Sequence, residues 1–182
     1  MDELKDLKQR LQEERPAEWE ALPDLALYMD QLISYMPRQL IRFDEGEGTL
    51  TSAMVNNYSK DGLLPRADGK RYSQEHLASL TVICALKKVL SLKEMSVLLS
   101  AARSGEKGNR GLYDEFRHAL DDALTDTAEH LPEGTPEEEL SHLALELALR
   151  SYANQLACAR VVELLRQKQD IPEGKSGKKE RK

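Results

Sequence analysis

Long apolar runs are missing from this chain of 182 residues, and the N-terminus is charged from Asp2 onward. No stretch approaches the eighteen or so apolar residues of a membrane span, and nothing resembles a secretory leader, so the expectation is a cytoplasmic protein with no membrane partner. Cysteine is scarce: Cys84 and Cys158 are the only two, too few for a disulfide framework and consistent with a reducing compartment. Aromatics make up 5% of the chain and Gly and Pro are few, which points to helix-rich architecture rather than a turn-rich β fold. Catalytic and metal patterns are sparse too. His142 and Glu146 share a helix face and His118 lies near Asp121 and Asp122, but neither group has a second ligand pair. A phosphate-cradling glycine loop and a Ser/His/Asp grouping are both lacking, so we expect no enzyme activity, no metal and no cofactor.

What is present is charge, unevenly distributed. The net charge is -6, yet Thr51 to Leu99 carries seven basic against four acidic residues, a local +3 that leaves -9 for the remainder. One positive face steering towards phosphate, with acid elsewhere limiting indiscriminate binding, has this form. From Asp121 to Leu149 there are nine acidic residues and no Lys or Arg. That stretch is either a solvated face turned away from nucleic acid or a docking surface for a protein partner.

Taken in order, Asp2 to Arg15 predicts a helix with Leu4, Leu7 and Leu11 on one stripe, stopped by Pro16. Asp24 is expected to cap a second helix running to about Met36, and Pro37 to Phe43 to form a further short one. Thr51 or Thr49 caps a helix to Lys60 that ends at Gly62, with Met54, Val55 and Tyr58 inward and Ser52, Asn56, Asn57 and Lys60 outward. Asp68-Gly69 suggests a hairpin turn with Lys70 and Arg71 at its tip and Tyr72 packed inward. Ser73 then caps an amphipathic helix with Leu77, Leu80, Ile83 and Cys84 on its core side. Ser91 and Glu94 form a capping box for the next amphipathic helix. After the loop-like Ser104 to Gly111, Leu112 to Leu131 and a long helix from about Thr135 to Gln169 complete the helical plan. The long helix is expected to fold back on Leu112–Leu131 as an antiparallel hairpin and to offer its remaining apolar surface to a second copy.

The order Tyr58, Gly62-Leu63-Leu64-Pro65, Arg71-Tyr72, a long helix, then Leu90-Ser91-Leu92-Lys93-Glu94-Met95 resembles the DNA-binding domain of MerR-family regulators. With the upstream Leu22-Pro23-Asp24-Leu25-Ala26-Leu27-Tyr28, the whole is similar to a bacterial family, domain of unknown function 1836. The resemblance implies a mainly α fold: a MerR-like winged helix-turn-helix with a small β wing, followed by a C-terminal helical hairpin or subdomain. It divides the chain into an N-terminal helix (1–23), the winged-helix domain (24–103), a C-terminal helical region for dimerisation or partner binding (112–170) and a disordered basic tail (171–182). It also implies a homodimer joined through C-terminal helices.

Two functional readings follow. In the first the chain is a DNA-binding transcriptional regulator without an obvious effector-binding domain. Ser52, Asn56, Asn57 and Lys60 would approach bases and phosphates of double-stranded DNA, and Arg66, Lys70 and Arg71 would hold the backbone. An Asn amide presents the donor and acceptor that read adenine N6 and N7. MerR proteins more often carry an Arg and an aromatic where Asn56 and Asn57 stand, which weakens the expected grip on phosphate. In the second reading the polar residues are merely solvated, and the winged-helix core is a protein–protein interaction module that no longer binds DNA.

Overall fold

The computed structural model describes residues 2–43, 49–104, 108–132 and 134–169. Its centre is the helix α4, Gln74–Leu86, which follows Asp2–Glu13 (α1), Met29–Tyr35 (α2) and Ser52–Lys60 (α3) and precedes Leu92–Arg103 (α5), Gly108–His130 (α6) and Leu140–Gln169 (α7). The expectation for α4 was an amphipathic helix. Instead every residue from His76 to Ile83 is buried, so the helix is covered on all sides, the property of a central element rather than a surface one. Ser73 starts it as expected, with the Ser73 Oγ 2.8 Å from His76 Nδ1 and the Ser73 N–H donating to that same nitrogen at 3.1 Å.

Around α4 one apolar core forms from Leu32, Val55, Tyr58, Leu63, Leu64, Leu77, Leu80, Ile83, Met95, Leu99 and Tyr113. Tyr113 is wholly buried in α6, and its hydroxyl donates to the Ala17 carbonyl at 2.7 Å. Burial pushes its hydroxyl pKa up to about 12. The α1 helix lies against α6, fastened by the Arg15–Asp121 ion pair and by Lys8 Nζ donating to the Leu131 carbonyl at 3.1 Å.

The fold is mainly α, as expected, but four local expectations fail for identifiable reasons. The helix expected from Asp24 starts only at Met29, and Leu25 is 77% exposed. Leu27 is held extended because it exchanges both backbone hydrogen bonds with Tyr72, at 2.9 and 2.8 Å, and the Tyr28 N–H is capped by Gln31 Oε1 at 2.9 Å. The short helix expected over Pro37–Phe43 is a single 3-10 turn at Met36–Arg38.

The small β wing is absent among the described residues. Only two isolated antiparallel bridges occur, Leu27 with Tyr72 and Asp68 with Arg71. Pro65 lacks an N–H on the first arm, and on the second arm Ser73 begins α4 directly after Tyr72, so no ladder can extend beyond the turn.

The fourth failure concerns α7, whose 30 residues span about 45 Å. It lies mainly along α5 instead of folding back on α6. Gln155 Nε2 donates to the Val89 carbonyl and Gln169 Nε2 to the Val97 carbonyl, each at 3.3 Å, so both helices advance in the same direction. Val162 is the buried residue of this contact. The expected tail, 171–182, lies outside the described residues, as does the middle of the Ser104–Gly111 loop. No helix among the described residues is long and apolar enough to cross a membrane.

Candidate nucleic-acid interface

Two short elements carry the residues singled out by sequence, and the core explains why each stands where it does. Thr51 starts α3 by accepting the Met54 N–H on its side chain at 3.2 Å. Val55 and Tyr58 then turn inward, 0% and 5% exposed, and this fixes the helix rotation. Ser52, Asn56 and Lys60, four residues apart, are therefore left on one outer face, with Asn57 beside them. All four are exposed, and among the described residues none of their side chains makes a hydrogen bond or ion pair.

The helix ends at Gly62, whose φ of +75° is the left-handed conformation that glycine adopts most readily. The Tyr58 carbonyl accepts both the Leu63 N–H (2.9 Å) and the Leu64 N–H (3.1 Å), and both leucines plug into the core at 2% exposure. From α5, the Arg103 guanidinium reaches across and donates to the Leu63 carbonyl at 2.9 Å and to Ser79 Oγ at 3.5 Å. Burial pushes the Arg103 pKa below its usual value. Reading the sequence missed this clamp, since an arginine in the last turn of a helix usually marks a solvated end.

The second element is the turn Asp68-Gly69-Lys70-Arg71, closed by the Arg71 N–H donating to the Asp68 carbonyl at 2.8 Å. Gly69 and Lys70 both have positive φ, +53° and +65°, the pattern of a primed hairpin turn. Tyr72 anchors it as expected. It is 6% exposed, edge-on to His76 with ring centroids 5.5 Å apart, and bonded to Leu27.

Arg66, Lys70 and Arg71 are all exposed, but they are not equivalent. The Arg71 guanidinium lies 5.3 Å from the centre of the Tyr28 ring and donates to the Tyr28 hydroxyl at 3.2 Å. That stack aims the arginine, and the pairing of an aromatic at position 28 with a cation at 71 was invisible without the Leu27–Tyr72 bridge. Leu63 and Leu64 join the two elements through the core. Their outward residues share no direct hydrogen bond among the described residues.

A family model for a domain of unknown function (DUF1836) matches residues 17–116. The chain belongs to this family. Its DUF1836 span runs from the residue after Pro16 to Phe116 within α6, so it contains α2 to α5, the turn and Tyr113, while α1 and α7 lie outside it. No curated protein and no solved structure matches the chain.

Proposed function

We propose that the protein is a homodimeric transcriptional regulator of the MerR-like winged-helix type. In this reading it presents the outer face of α3 to the major groove of double-stranded DNA and the Asp68–Arg71 turn to the adjacent backbone. The observation that carries it is the set of four polar side chains on α3. Ser52, Asn56, Asn57 and Lys60 are exposed, and unpartnered among the described residues, on a helix whose rotation is locked by Val55 and Tyr58. Preformed donors and acceptors on a rigid helix are what base reading requires. The turn supports the reading with two exposed cations, Lys70 and Arg71, and Arg66 exposed just before it, although it acts as a wing without strands.

The dimer rests on α7. Leu145, Leu149, Tyr152 and Leu156 follow a four-three-four spacing on one stripe, and each is more than half exposed. A second copy packed antiparallel about a two-fold axis near residues 150 and 151 would set Leu145 against the partner's Leu156 and Leu149 against the partner's Tyr152. It would also bring Glu146 towards the partner's Arg160.

One observation favours the alternative of an interaction module: Arg71 is already engaged by Tyr28, which leaves fewer cations ready for phosphate. Retardation of random duplex fragments across a salt series decides between the two. DNA binding predicts affinity that falls steeply with salt and an Arg71→Ala slope shallower by about one. A folded sample that retards nothing at low salt leaves the interaction module.

A further inference from the structure

Four segments converge without closing on one another: the end of α1, the 3-10 turn with the residues after it, the C-terminal end of α4 and the middle of α6. Between them lies a cavity of about 570 Å³, within the size range of small-molecule sites. Its apolar floor comes from Met36, Leu40, Leu50, Cys84, Leu120 and Leu124. One side of the mouth is cationic, with Arg38, Lys87 and Lys88. The other side carries Glu13 and Glu14, but their carboxylates are occupied by α1 side chains, Glu13 accepting from Gln9 and Glu14 pairing with Arg10.

The three cations come from the ends of two different helices. Lys87 and Lys88 sit at the C-terminal end of α4, where positive charge complements unpaired carbonyls. Arg38 is exposed and lies on a different element, in the last turn of the 3-10 helix Met36–Arg38, so it approaches the mouth from another direction. Its planar fork suits a carboxylate.

We propose that this cavity binds an amphipathic monoanion, a medium-length apolar chain seated among Leu40, Leu50, Leu120 and Leu124 with its carboxylate on Arg38 and Lys88. Leu50 directly precedes Thr51, the residue that starts α3, so an occupant touches the root of that helix. The inference stands independently of DNA binding.

Decanoate is the probe, titrated calorimetrically into the full chain against decanol and decyltrimethylammonium as neutral and cationic chains of the same length. Saturable decanoate binding is expected, with both controls weaker by about tenfold or more. Arg38→Gln should bring decanoate down to the decanol level, and Leu124→Trp should fill the cavity and remove both.

Cys84 supplies a readout that no variant of the pocket can confound. Burial raises its thiol pKa, although the nearby Lys87 and Arg42 charges oppose the rise, so slow labelling is the expected starting point. In a Cys158→Ser chain decanoate should slow the labelling further. Decanol or the cationic chain binding as tightly as decanoate, or decanoate leaving the labelling rate of Cys84 unchanged, overturns the proposal whether or not the pocket variants fold.

Discussion

The DUF1836 span and the α7 helix are built on opposite terms. Inside the span, Leu32, Val55, Leu77, Leu80 and Ile83 are fully buried, and α4 is covered all round. In α7 one residue of thirty is buried, while seven large apolar side chains are more than 40% exposed. The first region is held by tertiary packing. The second is helical through its Ala, Leu, Glu and Arg content, local pairs such as Glu146–Arg150, and a single seam along α5. A helix so little buried is stable alone only marginally, and its exposed stripe is the kind of surface that another helix covers.

The sharpest way to expose this contrast is to make the same truncation in both regions. Leu80→Ala removes a fully buried side chain at the centre of the core and should cost about 2–5 kcal/mol in chemical denaturation. Leu149→Ala, with the side chain 57% exposed, should change the stability of dilute protein by under about 0.5 kcal/mol. Equal costs at the two sites would mean that α7 is already buried in solution. A Leu149→Ala cost that grows with protein concentration would be the signature of the dimer, with sedimentation as the direct check.

A smaller effect probes the bond between α6 and the segment that follows α1, at the two ends of the family span. Tyr113 ionises near 10 when unfolded but at about 12 in the fold. Below pH 10 both states keep the proton and the shift has no effect. Between pH 10 and 12 the unfolded chain loses it first, so stability falls as pH rises through that window. Allowing for partial solvent screening, the fall is on the order of 1–2 kcal/mol. Tyr113→Phe should flatten this alkaline slope while removing the hydroxyl bond to Ala17. An unchanged slope in the variant would assign the loss to other groups.

The α5 start, where α7 finds its seam, should be less costly to disturb. Ser91 Oγ accepts the Glu94 N–H at 3.3 Å, and Glu94 Oε2 accepts the Ser91 N–H at 2.9 Å. Ser91→Ala removes half of this box and should cost about 1 kcal/mol. The Ser91 hydrogen bonds hold the Glu94 carboxyl below the usual range, so the box should weaken as pH falls through acid. If the Ser91→Ala deficit stays constant from pH 7 down to acid, the reciprocal box is not what stabilises the helix start.

Features written in short-range grammar were legible beforehand: the Thr51 cap, the inward Val55 and Tyr58, the stop at Gly62, the Ser73 start and the Ser91–Glu94 box. Each depends on residues within four positions of one another. What escaped notice depends on distant partners. Leu27 is extended because of Tyr72, Arg103 turns inward to the Leu63 carbonyl, and α7 runs along α5 where Gln155 and Gln169 reach the Val89 and Val97 carbonyls. The wing was misjudged for a mixed reason: its turn chemistry was visible, but the room for strands is cut off by Pro65 and by the start of α4. For the interface residues, exposure and helix face were legible, whereas the Tyr28–Arg71 stack was not.

The smallest expected change falls at Lys70, which joins the rigid region to the proposed function. Its φ of +65° strains a side-chain-bearing residue by about 1 kcal/mol. Lys70→Gly relieves that strain but adds backbone freedom to the unfolded chain worth about 0.5–1 kcal/mol, so the two nearly cancel. Thermal stability should therefore stay within about 0.5 kcal/mol of the parent, and the turn should keep its Arg71–Asp68 bond. Because the substitution removes one charge at almost no structural cost, it isolates that charge. A DNA-binding turn would lose about one unit of salt slope and keep its fold, whereas an unaltered slope would take Lys70 out of the interface. Lys70→Val gives the converse control, since a β-branched residue tolerates positive φ poorly and should destabilise the turn by about 1–2 kcal/mol.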